Sequence, residues 1–193
     1  MIYNDPFERE VITYPYVWQD NIFSEQELKT IIDYCDSKGT QEATTFAGLQ
    51  RDLRKSEIKF HQRNIDNGWI FDRLNTLIEF INEKYYRFDL NGYNYFQYTK
   101  YNKTGKYGWH MDTHLGADNR DQTRKLSLSI QLNDDYTGGE FMINEGEEKK
   151  AFTVPMKKGR AVLFPSFLIH RVSPIKKGIR KSLVVWVQGP KFK

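Results

Sequence analysis

The chain has 193 residues, 39% hydrophobic, 28% charged and 15% aromatic, the balance of an ordinary globular domain that buries roughly 70% of its unfolded surface. Its net charge of +4 and pI near 9.0 come from scattered basic residues, with pairs at Lys149-Lys150, Lys157-Lys158 and Lys176-Lys177, a distribution that does not favour a nucleic-acid groove. A single cysteine, Cys35, excludes an intrachain disulfide; no run reaches the ~18 apolar residues of a membrane span, and the opening MIYNDPFEREV does not read as a signal peptide, so a reducing, cytoplasmic setting is expected.

In chain order, Ser24 and Glu27 form a capping box, and Leu28, Ile31, Ile32 and Cys35 recur at helical spacing up to a stop at Gly39. Residues 40–54 read as a loop. His61 falls on a short strand, EIKFHQRN. A second helix is predicted over Gly68–Tyr85, with Ile70, Leu74, Leu77, Ile78 and Ile81 on one face.

After Asn91 the pattern turns to strands: Tyr93–Tyr101, Lys125–Asn133, Glu140–Asn144, Ala151–Val154, Ala161–Pro165, Ile169–Val172 and Lys181–Gln188. Turn signals at Thr137-Gly138-Gly139, Lys158-Gly159 and Lys177-Gly178 separate several of them. The expected fold class is α+β, a double-sheet barrel or jelly roll (double-stranded β-helix) with N-terminal helices buttressing one sheet. The expected organisation is one domain, 1–193, with 1–90 as helical support and 91–190 as the core.

The chemistry-bearing residues are His110 and Asp112 in YGWHMDTH, His170 in FLIHRV, and Arg180 ten positions further on. On a strand, i and i+2 share a face, which would set an imidazole beside a carboxylate. A third ligand from His170 would complete a 2-His-1-carboxylate set suited to Fe(II) with open positions. Each piece alone is weak: most H-x-D pairs are surface hydrogen bonds, and a lone strand histidine is usually structural. His61 and His114 are nearby alternatives. Zinc is a competitor, although no HExxH helix or CxxC pair occurs.

From Tyr95 to Pro190 the text resembles the 2-oxoglutarate- and Fe(II)-dependent dioxygenases of the prolyl 4-hydroxylase type, in the branch called PKHD-type hydroxylases. The resemblance rests on Tyr101, Gly105 and Tyr107 before His110-Met111-Asp112, on LSLSIQLNDDYTGGEF, and on GRAVLFPSFLIHRVSPIKKGIRKSLVVWVQGP, in that order. It implies that His110, Asp112 and His170 hold Fe(II). It implies that Arg180 grips the distal carboxylate of 2-oxoglutarate, a task for which a planar guanidinium fork is suited. Tyr101, Gln131 and Ser129 would line the cosubstrate site, with Ser127 on the same face. Phe141 would be an apolar wall, Trp186 would pack behind the iron ligands, and Tyr107 and Trp109 would be core residues or, as the alternative, contacts for the substrate. Dioxygen is the second cosubstrate and ascorbate an auxiliary reductant. The implied reaction hydroxylates an unactivated C–H bond and releases succinate and carbon dioxide.

The resemblance biases the substrate toward peptidyl proline in a peptide or protein, met by loops 40–54 and 113–124. A lysyl residue, a free amino acid or a nucleobase would keep the chemistry and change the substrate. A non-catalytic jelly-roll binding module is the alternative from another class. The sequence sets neither the oligomeric state nor the role of His61 and His114.

Overall fold

The computed structural model describes residues 14–45, 48–113, 121–144, 146 and 150–191. A seven-stranded antiparallel sheet carries most of the protein. Its order is β1 (Val17–Gln19), β11 (Ala161–Pro165), β7 (Gln122–Gln131), β14 (Arg180–Pro190), β5 (Tyr95–Tyr101), β4 (Glu57–Gln62) and β2 (Gln41–Glu42). A five-stranded sheet faces it, ordered β10 (Phe152–Thr153), β9 (Phe141–Asn144), β12 (Ile169–Val172), β6 (Lys106–His110) and β3 (Arg54–Lys55). A short pair, β8 (Thr137–Gly138) with β13 (Ile175–Lys177), completes the strands.

Alternation along the large sheet divides two kinds of interior. Leu126, Leu128 and Ile130 of β7, Leu183, Val185 and Val187 of β14, and Phe96 and Tyr98 of β5 pack with helix residues Leu28, Ile31, Ile70, Leu74 and Ile81. The helices are α1 (Glu25–Ser37) and α2 (Gly68–Ile81). Both cover the outer face, as the apolar periodicity predicts. The residues between, Ser127, Ser129 and Gln131 on β7, Arg180 and Ser182 on β14, and Gln97, Thr99 and Tyr101 on β5, are also buried, but they turn toward the small sheet. There Phe141, Ile143, Val162, Phe164 and Val172 form a second apolar cluster. This is the jelly-roll architecture, a double-stranded β-helix with helices on one side.

The helix starting at Glu25 has the predicted capping box: the Glu27 N–H donates to Ser24 Oγ at 3.2 Å, and the Ser24 N–H donates to Glu27 Oε2 at 2.7 Å. The second helix ends at Ile81, and its last predicted residues form a π-helical turn, Asn82–Tyr86, stopped by Arg87 in the left-handed region at φ 53°.

Residues 1–90 are more than the expected helical support. Strands β1, β2 and β4 extend the large sheet and β3 edges the small one. Two-residue strands such as β2 and β3 are too short to show periodicity, which is why 40–54 reads as a loop. No helix among the described residues is long and apolar enough to cross a membrane.

Candidate metal centre

Antiparallel pairing of β12 with β6 puts His170 directly opposite His110, with ring centroids 4.2 Å apart. Strand β6 ends at His110, so Asp112 belongs to the turn beyond it. That corrects the strand-alternation argument. The pair is close because the Asp112 and Thr113 N–H groups both donate to the Ser166 carbonyl at 3.0 Å, which folds the carboxylate back toward the imidazoles. Asp112 Oδ1 lies 3.8 Å from His110 Nε2, and Oδ2 lies 3.5 Å from His170 Nε2. The three candidate ligand atoms fall within 4.8 Å of one another, and they are the one such cluster among the described residues.

The surroundings fix each donor. His110 Nδ1 is 2.8 Å from the Gly108 carbonyl and His170 Nδ1 is 2.9 Å from the Leu168 carbonyl. A carbonyl only accepts, so each Nδ1 carries the proton and each Nε2 presents a lone pair. Ser127 Oγ donates to Asp112 Oδ2 at 2.7 Å and sits 2.8 Å from Ser166 Oγ. Tyr107 stacks on His110 with centroids 3.5 Å apart, and Phe164 meets His170 edge-on at 4.8 Å. Burial, helped by the nearness of the His170 imidazole, pushes the His110 pKa down to about 3. Burial opposes ionisation of Asp112, yet His170, His110, Arg124 and the Ser127 hydroxyl together hold its carboxyl below the usual range. A neutral imidazole beside an ionised carboxylate is the protonation a metal requires.

The same cavity reaches Arg180. This side chain is 1% exposed and stands opposite Tyr101 in the β14–β5 register, its guanidinium 5.5 Å over that ring. Nη1 donates to Ser182 Oγ at 3.1 Å, while Nε and Nη2 are buried without a hydrogen-bond partner among the described residues. Gly139 makes room for it: at φ 68°, an added Cβ there would come within 3.1 Å of Arg180 Cδ and 2.4 Å of Ile175. A buried cation with open N–H groups is costly unless an anion completes it. The residues present therefore fit a divalent cation at one part of the cavity and a carboxylate at another.

Other expected residues separate into two groups. Tyr101, Ser129, Phe141 and Trp186 line the cavity. Gln131 does not: its Nε2 donates to the carbonyls of Asn133, at 2.8 Å, and Lys181, at 3.3 Å, so the amide straps β7 to β14. Lys181 points to the helix side, where Nζ meets Asp36 at 2.8 Å, as alternation with Arg180 predicts. His61 is no ligand; it packs between Tyr34 and Phe96 in the helix–sheet core. His114 lies outside the described residues, as does most of the expected 113–124 loop.

A wider pocket of about 290 Å³ opens beside the metal cluster, with Asp112 on its wall. Two of its residues escape the sequence reading, Arg54 and Arg124. Each is one basic residue in a segment read as loop, with no spacing to mark it. Tyr107 and Trp186 line this pocket too, which for Tyr107 agrees with the substrate-contact alternative.

A profile of the 2OG-Fe(II) oxygenase superfamily matches residues 96–188. A PKHD-type hydroxylase of Synechococcus sp. (strain JA-2-3B'a(2-13)) is 36% identical over 86 residues, 43% of this chain and 38% of that protein. A PKHD-type hydroxylase of Psychrobacter sp. (strain PRwf-1) is 39% identical over 88 residues, 43% of this chain and 33% of that protein. The matches thus span 38% and 33% of these relatives' lengths. Among solved structures, a Pseudomonas putida prolyl-4-hydroxylase superposes with a TM-score of 0.74 at 19% identity, covering 91% of this chain and 93% of that one. A Trichoplax adhaerens prolyl hydroxylase, solved with a hypoxia inducible factor peptide fragment, gives a TM-score of 0.73 at 17% identity, covering 90% and 83%. Likeness at such identities establishes the shared fold.

Proposed function

We infer, from the match of residues 96–188 to the 2OG-Fe(II) oxygenase superfamily, that this protein is a 2-oxoglutarate-dependent hydroxylase acting on peptidyl proline. One observation carries the reading. A single cavity holds both the His110–Asp112–His170 cluster and a buried guanidinium, Arg180, with two nitrogens unpartnered. Bound iron, with 2-oxoglutarate and dioxygen, supplies the oxidising power for C–H hydroxylation with release of succinate and carbon dioxide.

The chain's own residues do the positioning. His110 and His170 would offer Nε2 and Asp112 a carboxylate oxygen to one face of the metal. The Gly108 and Leu168 carbonyls hold the imidazole tautomers, and Ser127 holds the carboxylate. Arg180 would take the distal carboxylate of the cosubstrate through Nε and Nη2, with Tyr101 over its plane and Ser129 on the neighbouring strand. Rings of Tyr107, Phe141 and Phe164 around the histidines keep bulk water from the reacting centre. The substrate would enter the wider pocket, and its rims of Tyr95, Phe60 and Trp186 suit a prolyl ring in an extended peptide. The same reading takes residues 1–193 as one catalytic domain.

The test is to incubate iron-loaded protein with 2-oxoglutarate, oxygen and ascorbate across a panel of proline-containing peptides. Peptide-stimulated succinate with a matching one-oxygen mass gain is the expected result. Succinate without any oxygenated peptide would remove proline from the account. No succinate from protein of confirmed iron content would overturn the hydroxylase reading.

A further inference from the structure

We propose that the pocket beside the metal cluster is a carboxylate-recognition site, so that the substrate carries an acidic group next to the carbon that reacts. The inference rests on the hydroxylase reading above and names the substrate class for it. Arg54 is 7% exposed and lies 4.6 Å over the Tyr107 ring. Its Nε donates to Ser56 Oγ at 3.0 Å and Nη1 reaches the Thr44 carbonyl at 3.4 Å; among the described residues Nη2 has no hydrogen bond and the side chain no carboxylate partner. Arg124 stacks on the other aromatic wall, 4.1 Å over Trp186. Its guanidinium makes no hydrogen bond or ion pair among the described residues.

Both arginines face one pocket, and among the described residues the sole carboxylate on its wall is Asp112. That group is committed to the metal in the present reading. Metal and cosubstrate do not supply the missing charge: a divalent cation and Arg180 are balanced by Asp112 and the two carboxylates of 2-oxoglutarate. Among the described residues the two guanidiniums therefore have no carboxylate of their own, and each is held by stacking on a ring. Planar forks with free N–H groups match a carboxylate in shape and charge. A phosphodiester is the competing anion, but nucleic acid is gripped along a stripe of cations, and here Glu42 occupies Arg51 nearby at 2.7 Å.

The experiment is calorimetric titration of the full chain, loaded with Zn(II) and 2-oxoglutarate so that no turnover occurs. The probes are acetyl-Gly-Pro-Glu-amide, its Gln counterpart, acetyl-Gly-Pro with a free carboxylate, and a short oligodeoxynucleotide. The expected result is at least tenfold tighter binding of one acidic peptide than of the Gln peptide. That gap should shrink in Arg54→Gln and Arg124→Gln, with circular dichroism confirming the fold. The Glu and free-acid peptides separate a side-chain source from a terminal one. Equal binding of all peptides, binding of none, a gap that survives both substitutions, or preference for the oligonucleotide would each overturn the proposal. Succinate formation by the iron-loaded protein is read separately. Turnover without acid preference defeats this inference alone, whereas no turnover defeats the hydroxylase reading.

Discussion

At the scale of single residues, each candidate ligand is held by a named partner, so single substitutions separate their contributions. His170→Ala takes one of three donors and should abolish iron-dependent turnover with the fold intact; undiminished activity would remove His170 from the site. Ser127→Ala leaves all three ligands but frees Asp112 Oδ2 from its 2.7 Å hydrogen bond. Loss of such a supporting bond weakens metal binding by roughly 10–100-fold, measurable by competition with a chromogenic chelator. Unchanged affinity would mean that the Ser166 contacts alone hold the carboxylate. Arg180→Ala should chiefly raise the 2-oxoglutarate concentration needed for half-maximal rate. An unchanged requirement would send the search to another anchor.

His61 gives a prediction about pH. It is 5% exposed, its Nε2 has no hydrogen-bond partner among the described residues, and burial, aided by Lys59 and Lys38, lowers its pKa to about 4. The unfolded imidazole takes up its proton near pH 6.5, so between pH 6.5 and 4 the unfolded state binds more protons than the folded one. Stability from this group is complete above pH 6.5 and falls as pH drops to 4, by on the order of 3 kcal/mol. His61→Phe keeps the ring between Tyr34 and Phe96 and should flatten the urea-midpoint profile across that window. A profile as steep as that of the unsubstituted protein would assign the acid sensitivity elsewhere.

At the scale of elements, alternation did most of the sequence's work. It separates Lys181 from Arg180, places Leu183, Val185 and Val187 under the helices, and turns Ser129 inward. Strands β11 and β12 have the bounds their apolar runs predict. Where an element is short or a polar group meets the backbone, alternation says nothing. It puts Gln131 on the correct face but cannot show that the carbonyls of Asn133 and Lys181 claim its amide. It brings Asp112 near His110 for a reason that proves incomplete, because the carboxylate is aimed by Ser166 from a distant turn. Arg54 is invisible for a related cause: β3 has two residues, and its place in the pocket comes from pairing with β6. The capping box of α1 is fully local and was legible. Ser24→Ala should cost about 1 kcal/mol, read as a lower urea midpoint at constant slope. No change would mean that the Arg73–Glu27 contact at 3.0 Å carries the helix start.

At the scale of the whole molecule, the large sheet separates two environments. One face is apolar and bound to helices, and builds stability. The other is lined with buried polar groups that the fold leaves partly unsatisfied, and these mark where ligands belong. Closure of two sheets brings His110, His170 and Arg180, far apart in sequence, onto one cavity. That cavity offers places for a divalent metal and for 2-oxoglutarate together. The most direct test is anaerobic calorimetric titration of 2-oxoglutarate into protein with and without Fe(II), alongside Arg180→Ala. The account predicts one cosubstrate per chain, binding that depends on the metal, and a loss of at least tenfold in affinity in the variant. Binding indifferent to both metal and Arg180, or no binding to protein of confirmed iron content, would contradict it.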